Sequence, residues 1–177
     1  MLNQHQQQYL LALARYSIGA EVQKPPPAPA LNEPLELIAP CFVSLYEKGG
    51  KLRGCIGTLE SSDSLLNCVQ HYAKCAAFQD PRFRPLELQE LPNIKIGISV
   101  LGPMVPLKDF QTIEVGKHGL VVSHANRRGV LLAKVPVEFG WKQEEFIRRT
   151  CEKAHLDPNH YRDYSWQYFE EQSFEEK

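Results

Sequence analysis

A predicted β-hairpin in the first third of the chain places the strongest constraint on its fold. The apolar run at residues 42–46 and the stretch at 51–58 flank the turn residues Lys48-Gly49-Gly50. Two alternating stretches joined by a glycine-containing turn are typical of antiparallel strands. The sequence therefore predicts an antiparallel sheet that contains residues 51–58 as one of its strands.

Packing in a hydrophobic core does not explain the residues of this second strand. Side chains alternate between the two faces of a strand, so Arg53 and Cys55 are predicted to share a face, about 6–7 Å apart. Gly54 and Gly57 lie inside the strand, where each glycine costs roughly 0.5–1 kcal/mol relative to alanine. Glycine at such a position indicates that a backbone or a ligand approaches closely. We therefore interpret the strand as a binding site formed by Arg53, Gly54 and Gly57.

Composition limits the class of protein. The 177 residues are 43% hydrophobic and 23% charged, which is typical of one globular domain, or of one domain with a lobe. A net charge of −1 argues against nucleic-acid binding, which usually needs a basic excess. No apolar run approaches the roughly 20 residues of a membrane span, and the first residues do not resemble a secretory signal. Five cysteines without a Cys-x-x-Cys pair indicate reduced thiols, so we expect a cytoplasmic protein.

The remaining elements repeat an order. Apolar residues at helical spacing predict an opening helix that stops at Gly19, followed by a proline-rich linker at 23–34 that could also be an SH3-type ligand. A helix, a strand, a second hairpin, another helix and a closing strand then follow, at about 65–77, 93–101, 120–132, 144–154 and 164–169. Hairpins separated by helices predict an α+β fold with a largely antiparallel sheet. The repeated order of hairpin, helix and strand indicates an internal duplication, although no sequence repeat accompanies it.

Cys55 is the leading candidate for chemistry. A thiol beside a cation has a lowered pKa and becomes nucleophilic, and Arg53 could supply that cation. The alternative is an inert, partly buried cysteine. A nucleophile also needs a base, for which His118 and His124 are the candidates, although each also fits a histidine in a surface turn. We name Cys55 and His118 as candidate catalytic residues.

A second constellation lies at Asp80-Pro81-Arg82-Phe83-Arg84-Pro85. Arginine favours bidentate recognition of carboxylate or phosphate, so Arg82 facing Arg53 would form an anion pocket. The structural alternative is that Asp80 itself is the partner of Arg82. We expect Asp80 and Arg82 to bind the ligand together with Arg53, Gly54 and Gly57 of the strand at 51–58, which we call the motif strand.

A metal or nucleotide site is not predicted. Cys68, His71 and Cys75 lie along one flank of the second predicted helix, but a fourth ligand for zinc is not evident. Neither a Gly-x-Gly-x-x-Gly sequence nor a phosphate loop occurs. We therefore expect no metal and no cofactor.

Three motifs together resemble the AMMECR-one domain family, whose microbial members are protein A of the AmmeMemoRadiSam system. They are Leu52-Arg53-Gly54-Cys55-Ile56-Gly57, Asp80-Pro81-Arg82-Phe83-x-Pro85 and Ile98-Ser99-Val100-Leu101. The resemblance implies a single domain at 8–171, followed by a tail at 172–177. It also implies a barrel-like sheet made from a duplicated strand–helix unit, with flanking helices and two unequal lobes. The strand at 51–58 would lie at the cleft.

The family resemblance implies partners, but it does not define an activity. A Memo-type protein and a radical-SAM enzyme would accompany a microbial member. The chain departs from the family at Gly97, where glutamate is common, and at Ala133-Lys134, where a Pro-Gln pair is common. A mechanism that uses the glutamate as a general base therefore does not carry over to this chain.

Two functions follow from these observations. The first is a component of an enzyme system that binds a small anionic or carbonyl-bearing substrate, with Cys55 as nucleophile or redox group. The second is a non-catalytic adaptor that presents the same strand to a Memo-type or radical-SAM partner protein. Nucleic-acid binding is a third function, and the net charge argues against it.

Overall fold

A computed structural model describes residues 2–30 and 34–177 of the chain. Residues 31–33, which belong to the predicted linker at 23–34, lie outside the described residues. The chain divides into two compact units of unequal size, one comprising residues up to 101 together with 172–177, and the other residues 102–171. Within the described ranges, no helix combines the length and the apolar character needed to cross a membrane.

The first unit contains the predicted hairpin. Its elements are α1 (Gln4–Glu21), β1 (Cys41–Glu47), β2 (Leu52–Gly57), α2 (Leu65–Phe78) and β3 (Ile94–Leu101). The strands are antiparallel, and β1 lies between β2 and β3. One face of this sheet buries Val43, Leu45 and Ile96 completely, together with apolar residues of α1 and α2. Among the strands that the structure describes, β2 therefore lies at an edge, and no other strand pairs with its outer side.

Helix α1 is longer than the sequence predicts. A capping box begins it, in which the side chain of Asn3 accepts from the backbone of Gln6, and the Gln6 side chain accepts from the backbone of Asn3. The helix continues through Gly19 to Glu21, so the prediction that Gly19 ends it is wrong. Gly19 is needed instead because the chain reverses there, and a Cβ atom would lie 2.7 Å from the carbonyl oxygen of Lys24.

The second unit has the same organisation. Its elements are β4 (Val105–Pro106), β5 (His118–His124), β6 (Arg127–Leu131), α3 (Lys134–Glu138), α4 (Gln143–Lys153) and the first part of β7 (Ser165–Glu175). Strand β5 lies between β6 and β7, and β4 adds to β7. Strand β7 continues to Glu175 as part of the first unit, which differs from the predicted tail at 172–177. The backbone N–H of Glu176 donates to the Ile96 carbonyl oxygen, and the Glu176 carboxylate accepts from the Ile96 N–H. These two bonds hold the end of the chain against β3.

The duplication is visible in the two units. Each has a hairpin, a helix and a further strand, and each places the first hairpin strand in the middle. Each also has a glycine where the second hairpin strand meets its helix. A Cβ atom on Gly54 would lie 2.2 Å from the Ala76 carbonyl oxygen of α2, and one on Gly129 would lie 2.8 Å from the Thr150 carbonyl oxygen of α4. The predicted α+β class with a largely antiparallel sheet is confirmed.

Candidate functional site

A β-bulge changes the geometry of the motif strand. The pairing of β1 with β2 steps from Leu45–Gly54 to Tyr46–Leu52, so Arg53 is the extra residue. A bulge re-aims the side chain of the extra residue and interrupts simple alternation. The expectation that Arg53 stands beside Cys55 as its cation therefore does not describe this strand. Arg53 is bound to other partners.

Arg53 forms a partly buried ion pair with Glu90. Its Nε donates to Oε1 of Glu90 at 2.8 Å, and its Nη2 donates to Oε2 at 3.2 Å. The Arg53 side chain is 6% exposed, and the guanidinium lowers the pKa of the Glu90 carboxyl. Its Nη1 is buried and has no hydrogen-bond partner among the residues that the structure describes. The ring of Phe83 lies near this guanidinium, with its centroid 6.0 Å from Cζ.

Asp80 and Arg82 hold the backbone of Cys55. The Cys55 N–H donates to Oδ2 of Asp80 at 2.8 Å, and Nη2 of Arg82 donates to the Cys55 carbonyl oxygen at 3.1 Å. Both backbone groups point away from β1, at the free edge of β2. The Asp80–Arg82 pair thus supplies an acceptor and a donor to Cys55, as a neighbouring strand would.

The two side chains of this pair also bind one another. Arg82 donates through Nε to Oδ1 of Asp80 at 2.9 Å and through Nη2 to Oδ2 at 2.7 Å. The hydrogen bond from Arg82 lowers the pKa of Asp80 to about 2, and the same bond raises the pKa of Arg82. The alternative in which Asp80 is the partner of Arg82 is therefore the arrangement in the structure. The guanidinium that contacts the Cys55 backbone belongs to Arg82 rather than to Arg53.

The thiol of Cys55 lies on the sheet face opposite the helix core. The hydroxyl of Ser44 donates to Cys55 Sγ at 3.2 Å, across the hairpin. On its other side Ser44 pairs with Gly97 of β3, which presents no side chain to the face. Farther along, the hydroxyl groups of Ser99 and Ser173 lie 2.8 Å apart. Neutral hydroxyl and thiol groups therefore share this face of the first unit.

Cys55 differs from the other cysteines in exposure. All five cysteines are free, and Cys55 is half-buried whereas the other four are buried. Burial raises the pKa of Cys41 to about 12 and that of Cys151 to about 11. Burial also raises the pKa of Cys75, whose sulfur lies 3.4 Å from Nε2 of His71. We therefore expect Cys55 to be the most accessible thiol of the folded protein.

Gly54 and Gly57 are needed for packing within the chain. The close approach at Gly54 is made by α2, whose Ala76 carbonyl oxygen would lie 2.2 Å from an added Cβ atom. A Cβ atom added to Gly57 would lie 2.4 Å from the Cys41 carbonyl oxygen. The protein itself therefore accounts for both glycines, and their contact with a ligand stays a prediction.

His118 lies in the second unit and has a local structural role. Its ring is buried, its Nδ1 accepts from the backbone N–H of Glu114 at 3.1 Å, and it packs against Tyr168 with 4.7 Å between ring centroids. His124 packs against Tyr164 in a similar way. Cys55 belongs to the first unit, whereas His118 and His124 both belong to the second. The catalytic assignment of His118 stays a prediction.

Two further residues, Glu90 and Ser44, contact the motif strand and are not among the predicted site residues. Glu90 lies in a polar stretch with no signal that distinguishes it from a surface glutamate. The sequence does distinguish Ser44, because it is the polar residue of an otherwise apolar strand. In the structure its side chain lies on the same face of the sheet as that of Cys55. Across residues 2–30 and 34–177, no group of three or more His, Cys, Asp or Glu side chains could hold a metal ion.

Comparison with known proteins identifies the family. The AMMECR1 (AMMECR-one) family model matches residues 11–174. Protein MK0488 of Methanopyrus kandleri is 37% identical over 186 aligned residues, covering 96% of this chain and 88% of that protein. Protein MJ0810 of Methanocaldococcus jannaschii is 38% identical over 126 residues, and that match covers 67% of this chain but less than two thirds of the relative, 63%.

A solved structure gives the same result. The crystal structure of the uncharacterised protein PH0010 from Pyrococcus horikoshii superposes with a TM-score of 0.85 at 33% identity, covering 97% of this chain and 91% of that one. The names of these relatives state no activity, ligand or partner. Fold, motifs and similarity agree, and the chain belongs to the AMMECR1 family.

Proposed function

We propose that the first unit binds a small carbonyl-bearing molecule at the Cys55 thiol and serves as a component of an enzyme system. The observation that carries this proposal is the hydrogen bond from the Ser44 hydroxyl to Cys55 Sγ at 3.2 Å. A donor directed at sulfur holds that atom in one orientation, as a positioned nucleophile requires. The thiol is also fixed in position, because Asp80 and Arg82 hold both backbone polar groups of Cys55.

The charge balance favours a neutral carbonyl over an anion. Each motif arginine is already paired with a carboxylate, Arg53 with Glu90 and Arg82 with Asp80. These two pairs have no net charge, so an anion would have to compete with a built-in carboxylate. The Cys55 thiol and the hydroxyl groups that share its sheet face carry no charge. Neutral donors of this kind suit a carbonyl oxygen.

The reaction that fits a thiol and a carbonyl is reversible addition. The sulfur forms a bond to the carbonyl carbon while the π bond of the carbonyl opens, and the thiol proton passes to the oxygen. The product is a hemithioacetal, and no oxidant or reductant is consumed. Arg53, Gly54, Gly57, Asp80 and Arg82 would position the strand and the ligand around this bond.

Thiol labelling tests the proposal. Native protein is treated with iodoacetamide, and the rate at each cysteine is followed by peptide mass spectrometry. We expect Cys55 to react at least tenfold faster than each buried cysteine, and we expect glycolaldehyde, but not acetate, to slow that reaction reversibly. Cys55→Ser and fully unfolded protein are the controls. Equal rates of alkylation at Cys55 and Cys75 in native protein would show that Cys55 is no more reactive than a buried cysteine.

A cellular experiment tests whether the thiol matters for metabolism. Metabolites are profiled in a deletion strain and in a strain that carries Cys55→Ser. A carbonyl compound that accumulates in both strains supports chemistry at the thiol. Accumulation in the deletion strain alone assigns the role to the rest of the surface.

The adaptor function is the second candidate, and the exposure of Arg82 favours it. The Arg82 side chain is 53% exposed at the edge of the motif strand, and it lies 5.4 Å from the Phe83 ring centroid. A Memo-type or radical-SAM protein would then bind this edge. If so, Arg82→Lys weakens co-purification with the partner, whereas Cys55→Ser leaves the complex and the phenotype unchanged.

A further inference from the structure

We propose that the protein self-associates, with an aromatic knob on the second unit of one copy docking into an apolar groove on the first unit of another. The knob consists of Val137, Phe139 and Trp141. The groove lies between α1, Pro26-Pro27 and the last residues of the chain. This contact is independent of the ligand site proposed at Cys55.

The knob is unusually exposed for apolar side chains. Val137 is 61% exposed and Phe139 is 66% exposed. The ring of Phe139 stacks on that of Trp141, with 5.0 Å between centroids and 17° between planes, and the Arg149 guanidinium lies 5.5 Å over the Trp141 ring. Stacking of this kind fixes both rings in a flat, rigid platform. A contiguous exposed apolar patch indicates a surface that another molecule covers.

The groove has the size and chemistry to receive such a platform. It encloses about 520 Å³, and a second cavity of about 250 Å³ adjoins it and shares Arg15 and Pro26. Its apolar surface comes from Leu11, Ala12, Pro26, Pro27 and Phe174. Proline-rich surfaces pack well on aromatic rings, as in the recognition of proline-rich segments.

The Arg15 guanidinium makes four hydrogen bonds within the chain. Its guanidinium binds Glu176 through Nε and Nη2, the Leu91 carbonyl oxygen through Nη1 and the Ile94 carbonyl oxygen through Nη2. Glu176 is held in turn by the backbone N–H of Ile96. The Arg15–Glu176 ion pair that lines the groove is thus bound within the chain, which suits an apolar occupant.

The charges around the two surfaces are complementary. The charged side chains that line the groove have a net charge of +1; they are Arg15, Lys24, Glu175, Glu176 and Lys177. The knob is flanked by Glu138, Lys142 and Glu144, with a net charge of −1. Within the part of the chain that the structure describes, Arg15, Glu175 and Glu176 form ion pairs, whereas Lys24, Lys177 and the three residues beside the knob do not. Opposite rim charges favour a groove and a knob from two copies over two knobs that face each other.

The geometry of this contact sets its strength and symmetry. Because knob and groove are different surfaces, one such contact leaves a free groove on one copy and a free knob on the other, as in a heterologous interface. Two stacked aromatic side chains bury about 300–500 Å² in total, below the ~800 Å² per partner of a standard stable interface. We therefore expect weak association that becomes detectable only in the high micromolar range.

Complementation of two defective variants tests the proposal by sedimentation velocity. Val137→Ser/Phe139→Ser removes the knob but keeps the groove, and Ala12→Glu fills the groove but keeps the knob. Both changes are at exposed positions, so both variants are expected to fold. Ile38→Ser, at a residue that is 65% exposed outside both surfaces, and Ala20→Glu, on the exposed side of α1, are the matched controls.

We expect wild type and both controls to associate with rising concentration, and each defective variant to stay monomeric. An equimolar mixture of the two defective variants should form dimers and nothing larger, because each dimer has one intact contact. A wild type that stays monomeric throughout the series overturns the proposal. So does a mixture that stays monomeric while wild type associates, since an intact knob and an intact groove then fail to bind. Association of Ala12→Glu by itself would identify a knob-to-knob dimer, and association of both variants by themselves would identify a different surface; either result also overturns the proposal.

Discussion

The carboxylate of Asp80 accepts a hydrogen bond from the backbone N–H of Cys55 at 2.8 Å, across 25 residues of sequence. This bond, together with the one from Arg82 to the Cys55 carbonyl oxygen, connects the two most distinctive motifs of the chain. The Asp80-Pro81-Arg82 segment therefore positions the strand that carries the candidate thiol. Its effect on a ligand at Cys55 would come through that strand.

Removal of the Asp80 carboxylate is expected to destabilise the protein strongly. Asp80 is 4% exposed and accepts from Cys55 and Arg82, so Asp80→Ala leaves those donors without their acceptor. Loss of a buried, charge-assisted network of this kind costs about 3 kcal/mol, and Asp80→Asn should cost less because the amide oxygen can still accept. Urea unfolding measures the difference. Asp163→Ala, at an exposed carboxylate, is the control, and an equal effect of both alanine variants would contradict the assignment.

The same carboxylate is expected to make stability depend on pH in acid. The pKa of Asp80 in the folded protein, about 2, lies below its ordinary value of 3.8. Its contribution is therefore fully present above the ordinary value and is lost as the pH falls from about 4 towards 2. A difference of this size corresponds to about 2 kcal/mol. The gap in unfolding free energy between wild type and Asp80→Asn should narrow over this interval, and a constant gap would contradict the prediction.

Two glycine substitutions are expected to have opposite effects. In Gly54→Ala the new methyl group would meet the Ala76 carbonyl oxygen at 2.2 Å, so helix and strand must separate. We expect a loss of about 3 kcal/mol, or failure to fold. In Gly97→Ala the nearest atom is Tyr46 Cε2 at 3.4 Å, an ordinary contact. There we expect no loss, or a gain of about 0.5–1 kcal/mol from the lower backbone entropy of alanine.

Thermal unfolding of the two variants provides the measurement. A Gly54→Ala protein as stable as wild type would show that α2 can move away from β2 at little cost. A large loss in Gly97→Ala would show that the empty position on the Cys55 face is needed for folding. Either result would change the roles assigned to these glycines.

The ion pair of Arg53 and Glu90 is expected to show strong coupling. Arg53→Met keeps most of the apolar length but removes the charge, which leaves a partly buried carboxylate without its partner. We expect a loss of about 2–3 kcal/mol, and a smaller loss in Arg53→Met/Glu90→Gln than the two single effects combined. Arg53→Lys should not restore stability, because one ammonium cannot make both hydrogen bonds. Urea unfolding of the four variants gives the coupling, and additive effects would contradict it.

The sequence predicts the main elements because their patterns are local. Alternation predicts β1, β2 and β3, and Ser64 caps α2 as its position before an apolar helix suggests. The duplication also follows from the order of elements. Each unit also has a glycine in its hairpin that faces the helix. The role of these two glycines cannot be predicted from the order of elements, because it depends on which helix packs on which strand.

The sequence does not predict the features that depend on long-range contacts. Arg53 and Cys55 share a face in an ideal strand, but the bulge separates them, and it accompanies the pairing of Arg53 with Glu90, 37 residues away. Glycine usually indicates the end of a helix. The close approach of Lys24, which requires a glycine at position 19 within the helix, is not visible in the local sequence. The end of β7 is polar and has no pattern of its own, yet Glu176 holds it through Arg15 and Ile96.

The free edge of β2 has a consequence for solubility. An uncovered edge strand exposes N–H and C=O groups that can pair with a strand of another molecule and start aggregation. Asp80 and Arg82 occupy those groups at Cys55 with side chains, one of which is charged and exposed to water. A variant that lost this pair would therefore lose more than stability, because its motif strand would become a template for intermolecular β-sheet.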